Sequence, residues 1–298
     1  MMKRAAAAFA AVIAISTTAL ADGKKARSEP SEDQTSEAAD KPAVEADAKP
    51  SGRMTLPGGK FYVNAVVETN LASGAAGKPI SLAPDLWYGA SDKLTLGLVH
   101  SSRGATGFLT GFVNGLCFRG GDGGPCAAGL GKIYTTVGGE ARIAISEGGF
   151  ALALPIGLYA SAFQPEVVLS AKIGLIGRWQ AGAIALELQP ALFAGITQRK
   201  IDVGGMKVSN NEDRFGLPLT LFYQLSPAFA LAAQTGVTLV VEHAKDTYQV
   251  PVALGIAWWA TPKLSVDLAF GLAAVVDANS MTKAFDSRNL TLGVGYGM

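Results

Sequence analysis

The stretch Tyr248–Leu272, YQVPVALGIAWWATPKLSVDLAFGL, decides the architecture. Taken two residues at a time, Tyr248, Val250, Val252, Leu254, Ile256 and Trp258 fall on one face, with Gln249, Pro251, Ala253, Gly255 and Ala257 on the other. After Ala260-Thr261-Pro262-Lys263 the alternation resumes, with Leu264, Val266, Leu268, Phe270 and Leu272 against Ser265, Asp267, Ala269 and Gly271. A period of two held for about ten residues, a tight turn and the same again describe a hairpin of strands long enough to cross a bilayer. The bulky apolar face suits lipid, and the small or polar face suits a wet interior. Trp258 and Trp259 stand where the strand would leave the hydrocarbon, a level that amphipathic rings prefer.

The same unit recurs outward from this stretch in both directions. Alternation marks about twelve strands, at roughly 60–69, 79–90, 93–102, 134–145, 150–161, 167–178, 182–195, 214–225, 229–240, 248–259, 263–274 and 288–298. Short connections alternate with long ones, the longest near 103–133, as in bacterial barrels with tight turns on one side and longer loops on the other. An even strand number returns both termini to the periplasm. The expected fold is therefore all-β, a closed antiparallel transmembrane barrel over residues 58–298. Pro84, Pro155, Pro190, Pro218 and Pro251 fall inside strands and each removes a ladder donor, so bulges or hydrated breaks are expected there. Aromatic residues at strand ends, Trp87-Tyr88, Trp179, Phe222-Tyr223 and Trp258-Trp259, are expected to form an interfacial girdle.

Composition agrees. Only 16% of the 298 residues are charged, where a soluble domain carries about a quarter. Mean hydropathy is +0.28, yet beyond the N-terminus no uninterrupted apolar run is long enough for a transmembrane helix. A net charge of +1 without a basic block argues against nucleic acid as a partner. Residues 1–21, with Lys3 and Arg4, an apolar run and Ala19-Leu20-Ala21, are expected to be a cleaved secretory signal. Residues 22–57 lack Phe, Tyr, Trp and Ile and are rich in charge, Pro and Ala, which predicts a disordered periplasmic leader; a plug or a docking segment for a periplasmic partner is the sharper alternative.

Parity places Asn64, Glu68, Asp85, Glu140, Arg142, Lys172, Arg178, Glu187, Gln189, Gln234 and Asp267 on the inner face. Glycine and alanine at Gly97, Gly138, Gly157, Gly174, Ala185, Gly255 and Gly293 share it, which favours open space and pore-lining charges over a salt-bridged, filled interior. Acids and bases nearly balance, so the sign of any selectivity is not legible. Cys117 and Cys126 lie close together in an exported chain and are expected to form a disulfide cinching the 103–133 loop. Their spacing fits no zinc site, so no metal and no organic cofactor is implied.

At the family level the patterning of residues 60–298 resembles the Gram-negative outer-membrane β-barrels of the small porin-like class. The last strand, with Leu290, Leu292, Val294 and Tyr296, resembles the closing strand of such proteins, although it ends in Met298 rather than an aromatic residue. The resemblance implies a passive, narrow channel for small solutes, embedded among outer-membrane lipids. A smaller likeness points elsewhere. His100-Ser101-Ser102 resembles the His-x-Ser motif of outer-membrane phospholipase A and the lipid A deacylases, which would make His100 the general base and Ser102 the nucleophile. Where the phospholipase pattern continues with Asn-Gly, this chain has Arg103-Gly104. A structural or adhesive barrel with a filled lumen is the third expectation.

Overall fold

The computed structural model describes residues 53–72, 80–101, 116–119, 136–162, 166–278 and 288–298. The expected signal segment, the leader up to residue 52, Ser102 and Cys126 lie outside the described residues. The strands are β1 (Phe61–Asn70), β2 (Ile80–Ser91), β3 (Leu94–Val99), β4 (Leu116–Arg119), β5 (Val137–Ser146), β6 (Phe150–Ala162), β7 (Val168–Gly174), β8 (Ile176–Ala181), β9 (Ile184–Leu188) and β10 (Ala191–Gly195). They continue with β11 (Lys200–Val203), β12 (Met206–Ser209), β13 (Arg214–Ser226), β14 (Phe229–Val240), β15 (Gln249–Trp259), β16 (Leu264–Asp277) and β17 (Arg288–Gly297). Antiparallel neighbours pair in chain order, and β1 closes on β17 from Tyr62↔Gly297 to Asn70↔Asn289. The result is a closed barrel of 12 strands, in which β7–β8 and β9–β10 are each one interrupted strand. This is the architecture of a closed transmembrane β-barrel.

The alternation explains why the sheet closes as it does. Leu96, Leu98, Leu158, Ile173, Leu221, Leu254, Leu268, Leu292 and Val294 are all exposed on the outer wall, while their neighbours Thr95, Gly97, Gly157, Lys172, Thr220, Ala253, Asp267 and Gly293 face inward. A continuous apolar exterior of this kind is stable only in hydrocarbon, and closure leaves no unpaired edge there. Exposed Phe61, Tyr88, Phe150, Trp179, Tyr223, Phe229, Trp258 and Tyr296 all project near the short-turn end, where Phe61 and Tyr88 approach with centroids 4.6 Å apart and Phe229 stacks on Trp258 at 6.2 Å. They form a one-sided interfacial girdle. Trp87 and Phe222, expected in it, instead have the opposite parity and point inward.

Four of the five strand prolines share one line; Pro84, opposite Ala65 of β1, lies off it. Pro155 on β6 faces the break at Leu175 between β7 and β8; the Leu175 amide donates to the Pro190 carbonyl at 2.9 Å, in the break between β9 and β10. Gln189 in turn donates to Pro218 of β13 at 3.0 Å, Pro218 is paired with Gly236 of β14 (φ +149°), and Pro251 sits in the β15–β16 bulge between Val250 and Val252. Concentrating these four missing donors in one row lets a single set of bulges and breaks accommodate them.

Two segments expected to be loop carry pairing of their own. β3 ends at Val99 and leaves the far part of β2 uncovered; β4, from within the 103–133 loop, pairs there through Ile80↔Arg119, Ser81↔Cys117 and Leu82↔Leu116. Between β10 and β13, β11 and β12 form a separate exposed hairpin around Gly204 and Gly205, both at positive φ (+63° and +85°), which glycine adopts at little cost. At its root Arg199 donates to Asp213 at 2.5 Å and to Glu242 at 2.9 Å, and His243 lies 3.4 Å from Glu212.

Candidate functional site in the barrel interior

The inner charges are not scattered evenly. On one wall β5 carries Glu140 and Arg142, β6 carries Tyr159, β7 carries Lys172, β8 carries Arg178, and Glu187 and Gln189 follow on β9 and just after it. Register puts Glu140, Gly157 and Lys172 in one row, so three strands converge on the Glu140 carboxylate. It accepts from Arg142 Nε at 2.7 Å, Lys172 Nζ at 2.7 Å and the Tyr159 hydroxyl at 2.5 Å, and its side chain is wholly excluded from solvent. The Arg142 guanidinium lies 3.9 Å from the centre of the Trp87 ring. Three inward rows nearer the short turns, Arg178 donates to Glu187, as does the Gln189 amide, and the Arg178 guanidinium stands 5.8 Å from the Phe222 ring.

Further round the barrel the inward charges are acidic. Glu68 on β1 and Asp267 on β16 face inward five strands from Lys172 and Arg178, while Asp85 on β2 lies four strands from them and only two from Glu140 and Arg142. Asn289 donates to Glu68 at 3.4 Å, and Asn64 lies directly across from Asp85. On the strands between, Gln234 donates to Thr220 at 3.0 Å. Counting the named side chains, the first wall holds three cations and two carboxylates and the acidic wall three carboxylates.

The glycines do not leave the space expected of them. A Cβ at Gly97 would collide with the Trp87 ring, at Gly138 and Gly157 with Tyr159, and at Gly293 with the Asp267 carboxylate. They are seats for large inward side chains on the neighbouring strand. Trp87, Val99 and Tyr159 form a buried cluster with Tyr62, Phe193 and Leu56 against it. Leu56 belongs to the last residues of the expected leader. Its amide donates to inward Thr95 at 2.7 Å, the Thr55 hydroxyl donates to the Asp92 carbonyl at 2.8 Å, and the Pro57 carbonyl packs where a side chain on Gly89 would stand. Residues 53–57 thus sit inside the short-turn mouth, against β2 and β3.

The His100 motif is arranged differently from its spacing. Alternation would place His100 beside Leu94, Leu96 and Leu98, facing lipid, but it is only 4% exposed. Its Nδ1 donates to the Pro84 carbonyl at 2.5 Å, and Asp85 Oδ1 accepts the amides of His100 at 2.6 Å and Ser101 at 2.9 Å. Ser101 also donates its hydroxyl to Asp85. The cause is the end of β3 at Val99: past it the chain no longer alternates, and the Asp85 carboxylate gathers the amides that β2 cannot pair. Cys117 lies on β4. Among the described residues no group of His, Cys, Asp and Glu is arranged to hold a metal.

Trp87, Tyr159, Phe193, Ser101 and Leu56 were not legible as interior residues from charge alone. Trp87 shares parity with Asp85, and Tyr159 with Gly157, so strict alternation carried the signal for those two.

No protein-family model and no curated protein matches the chain. Among solved structures, the NanC porin aligns with 79% of this chain and 98% of its own at 12% identity and a TM-score of 0.49. An anion-selective porin from Comamonas acidovorans aligns over 80% and 98% at 11% identity and 0.37, and outer membrane phospholipase A from Escherichia coli over 83% and 98% at 10% identity and 0.39. Neither solute nor reaction is taken from similarity at this level; the fold rests on the strand pairing itself.

Proposed function

We propose that this protein is a narrow diffusion channel of the Gram-negative outer membrane, passing small polar solutes, with both termini on the periplasmic side. The observation that carries the proposal is the separation of charge across the interior. Arg142 and Lys172 pair with Glu140, and Arg178 with Glu187, along their own wall, while Glu68 and Asp267 stand five strands round the barrel from Lys172 and Arg178. Charges held apart on different walls orient and select what passes between them. A Cys117–Cys126 disulfide would cinch the 103–133 loop beside β4, and residues 53–57 sit inside the short-turn mouth.

The second reading, a filled barrel whose loops do the work, is favoured by the buried Glu140 cluster and the covered glycines. Single-channel conductance of the refolded mature protein in planar bilayers, with and without residues 22–57, separates the two. Stable conductance supports the channel, and conductance only after removal of the leader makes that segment a plug. A silent bilayer in both versions overturns the channel.

A further inference from the structure

We propose that the short-turn mouth contains a subsite for a neutral, hydroxylated solute of about monosaccharide size, in a slot between Gln180 and Phe222; the proposal names the solute class for the channel read above. Register defines the slot. Gln180 of β8 pairs with Ala185 of β9, and Ala185 pairs with Phe222 of β13, so the three stand in one row on the inner face. Two interstrand spacings put the amide and the ring on walls roughly 10 Å apart, with only the Ala185 methyl between them. The cavity there holds about 320 Å³ and extends towards the turn past Gln224 and Ser226. That is the lower end of the usual range for small-molecule sites, which start near 300 Å³.

The chemistry of the walls selects the occupant. Phe222 brings a flat apolar ring, with the Arg178 guanidinium 5.8 Å from its centre on one side. Gln180 brings both a donor and an acceptor, and the Gln224 amide is held in place by donating to the carbonyls of Ser226 at 2.5 Å and Phe229 at 3.1 Å. The next row inward carries Arg178 paired with Glu187, outside the cavity lining. The lining itself holds no charged side chain, so an entering ion finds no counter-charge there, whereas a neutral polyol can hydrogen-bond to Gln180, Gln224 and Ser226. An apolar ring face with alternating donors and acceptors at its rim matches a pyranose. The slot is lined by β8, β9 and β13, whereas Thr55 and Leu56 bond to Asp92 and Thr95 on the β2–β3 side of the same mouth.

The test is titration of D-glucose, glycine and sodium acetate into the full mature barrel in lipid nanodiscs, followed by the side-chain amide resonances of Gln180 and Gln224. Saturable shifts with glucose and none with glycine or acetate are expected. Ala185→Leu, which fills the slot, and Phe222→Ala, which removes the platform, should each weaken glucose binding about tenfold, with folding confirmed by circular dichroism. Two variants are used so that failure of one to refold leaves the other decisive. Unsaturable shifts, equal binding of acetate or glycine, or unchanged glucose binding in a folded variant overturns the subsite. Because binding is read without current, a silent bilayer with intact glucose binding refutes the channel and not the slot.

Discussion

Replacing Glu140 by glutamine tests whether the basic wall is organised by one carboxylate. The side chain keeps its shape and loses its charge, so packing against Tyr159 and Lys172 is preserved while three donors lose an anionic acceptor. The size of the effect is set by Lys172, whose side chain is only 6% exposed and cannot turn to water, whereas Arg142 is 27% exposed and keeps the Trp87 ring at 3.9 Å. Leaving a buried cation without its partner costs about 3–5 kcal/mol. Glu140→Gln should lower unfolding stability by that amount, measured by urea titration of the barrel in phospholipid vesicles with tryptophan fluorescence. Removing the stranded cation should recover much of the loss, so that Glu140→Gln/Lys172→Met falls short of the sum of the single changes by about 2–3 kcal/mol. A single variant within about 0.5 kcal/mol of wild type, which is the level of an ordinary surface change, or strict additivity in the double, would refute the reasoning.

The acidic wall predicts selectivity. Asp267→Asn takes that wall from three carboxylates to two, and the cation-to-anion permeability ratio from reversal potentials in a salt gradient should fall; no change would place Asp267 off the conduction path. Gly195→Ala directs a new methyl at the Asn211 backbone carbonyl and should destabilise the barrel by about 1–3 kcal/mol, while Gly139→Ala, which meets nothing within 4 Å on the outer wall, should be neutral in the same urea assay. Outside the membrane-spanning segments, the Arg199 hydrogen bond holds the Asp213 carboxyl below its ordinary value of 3.8. A lowered folded value means the contact stabilises the hairpin root above that pH and loses this effect as pH falls through the folded value. Arg199→Ala should move the Asp213 carbonyl-carbon titration back up to the ordinary range, and an unmoved titration would sink the pairing.

Two-residue alternation determined the barrel. It assigned each strand an outer and an inner side because a one-residue slip would turn a whole apolar face into the lumen, so Tyr248–Leu272 already specified its register with lipid. The same parity put Glu68, Glu140, Lys172, Glu187 and Asp267 inside. Grouping Trp87 with Tyr88 in a girdle overrode that parity, and the structure separates them, Trp87 inside and Tyr88 outside. Alternation stops carrying information where a strand stops, which is why His100 and Ser101 are buried beside Asp85 although spacing sends His100 outward.

What only closure decided is which inner residues meet. Glu140 and Lys172 are 32 residues apart and share a row because β5, β6 and β7 run antiparallel in one register. Inward glycines signal space in a sequence, but in the closed barrel they lie under Trp87, Tyr159 and Asp267, since a neighbouring strand supplies the side chain that occupies each gap. The balance of acids and bases is likewise a property of composition. Their separation onto different walls arises from the circular order of strands, which exists only once β1 has paired with β17.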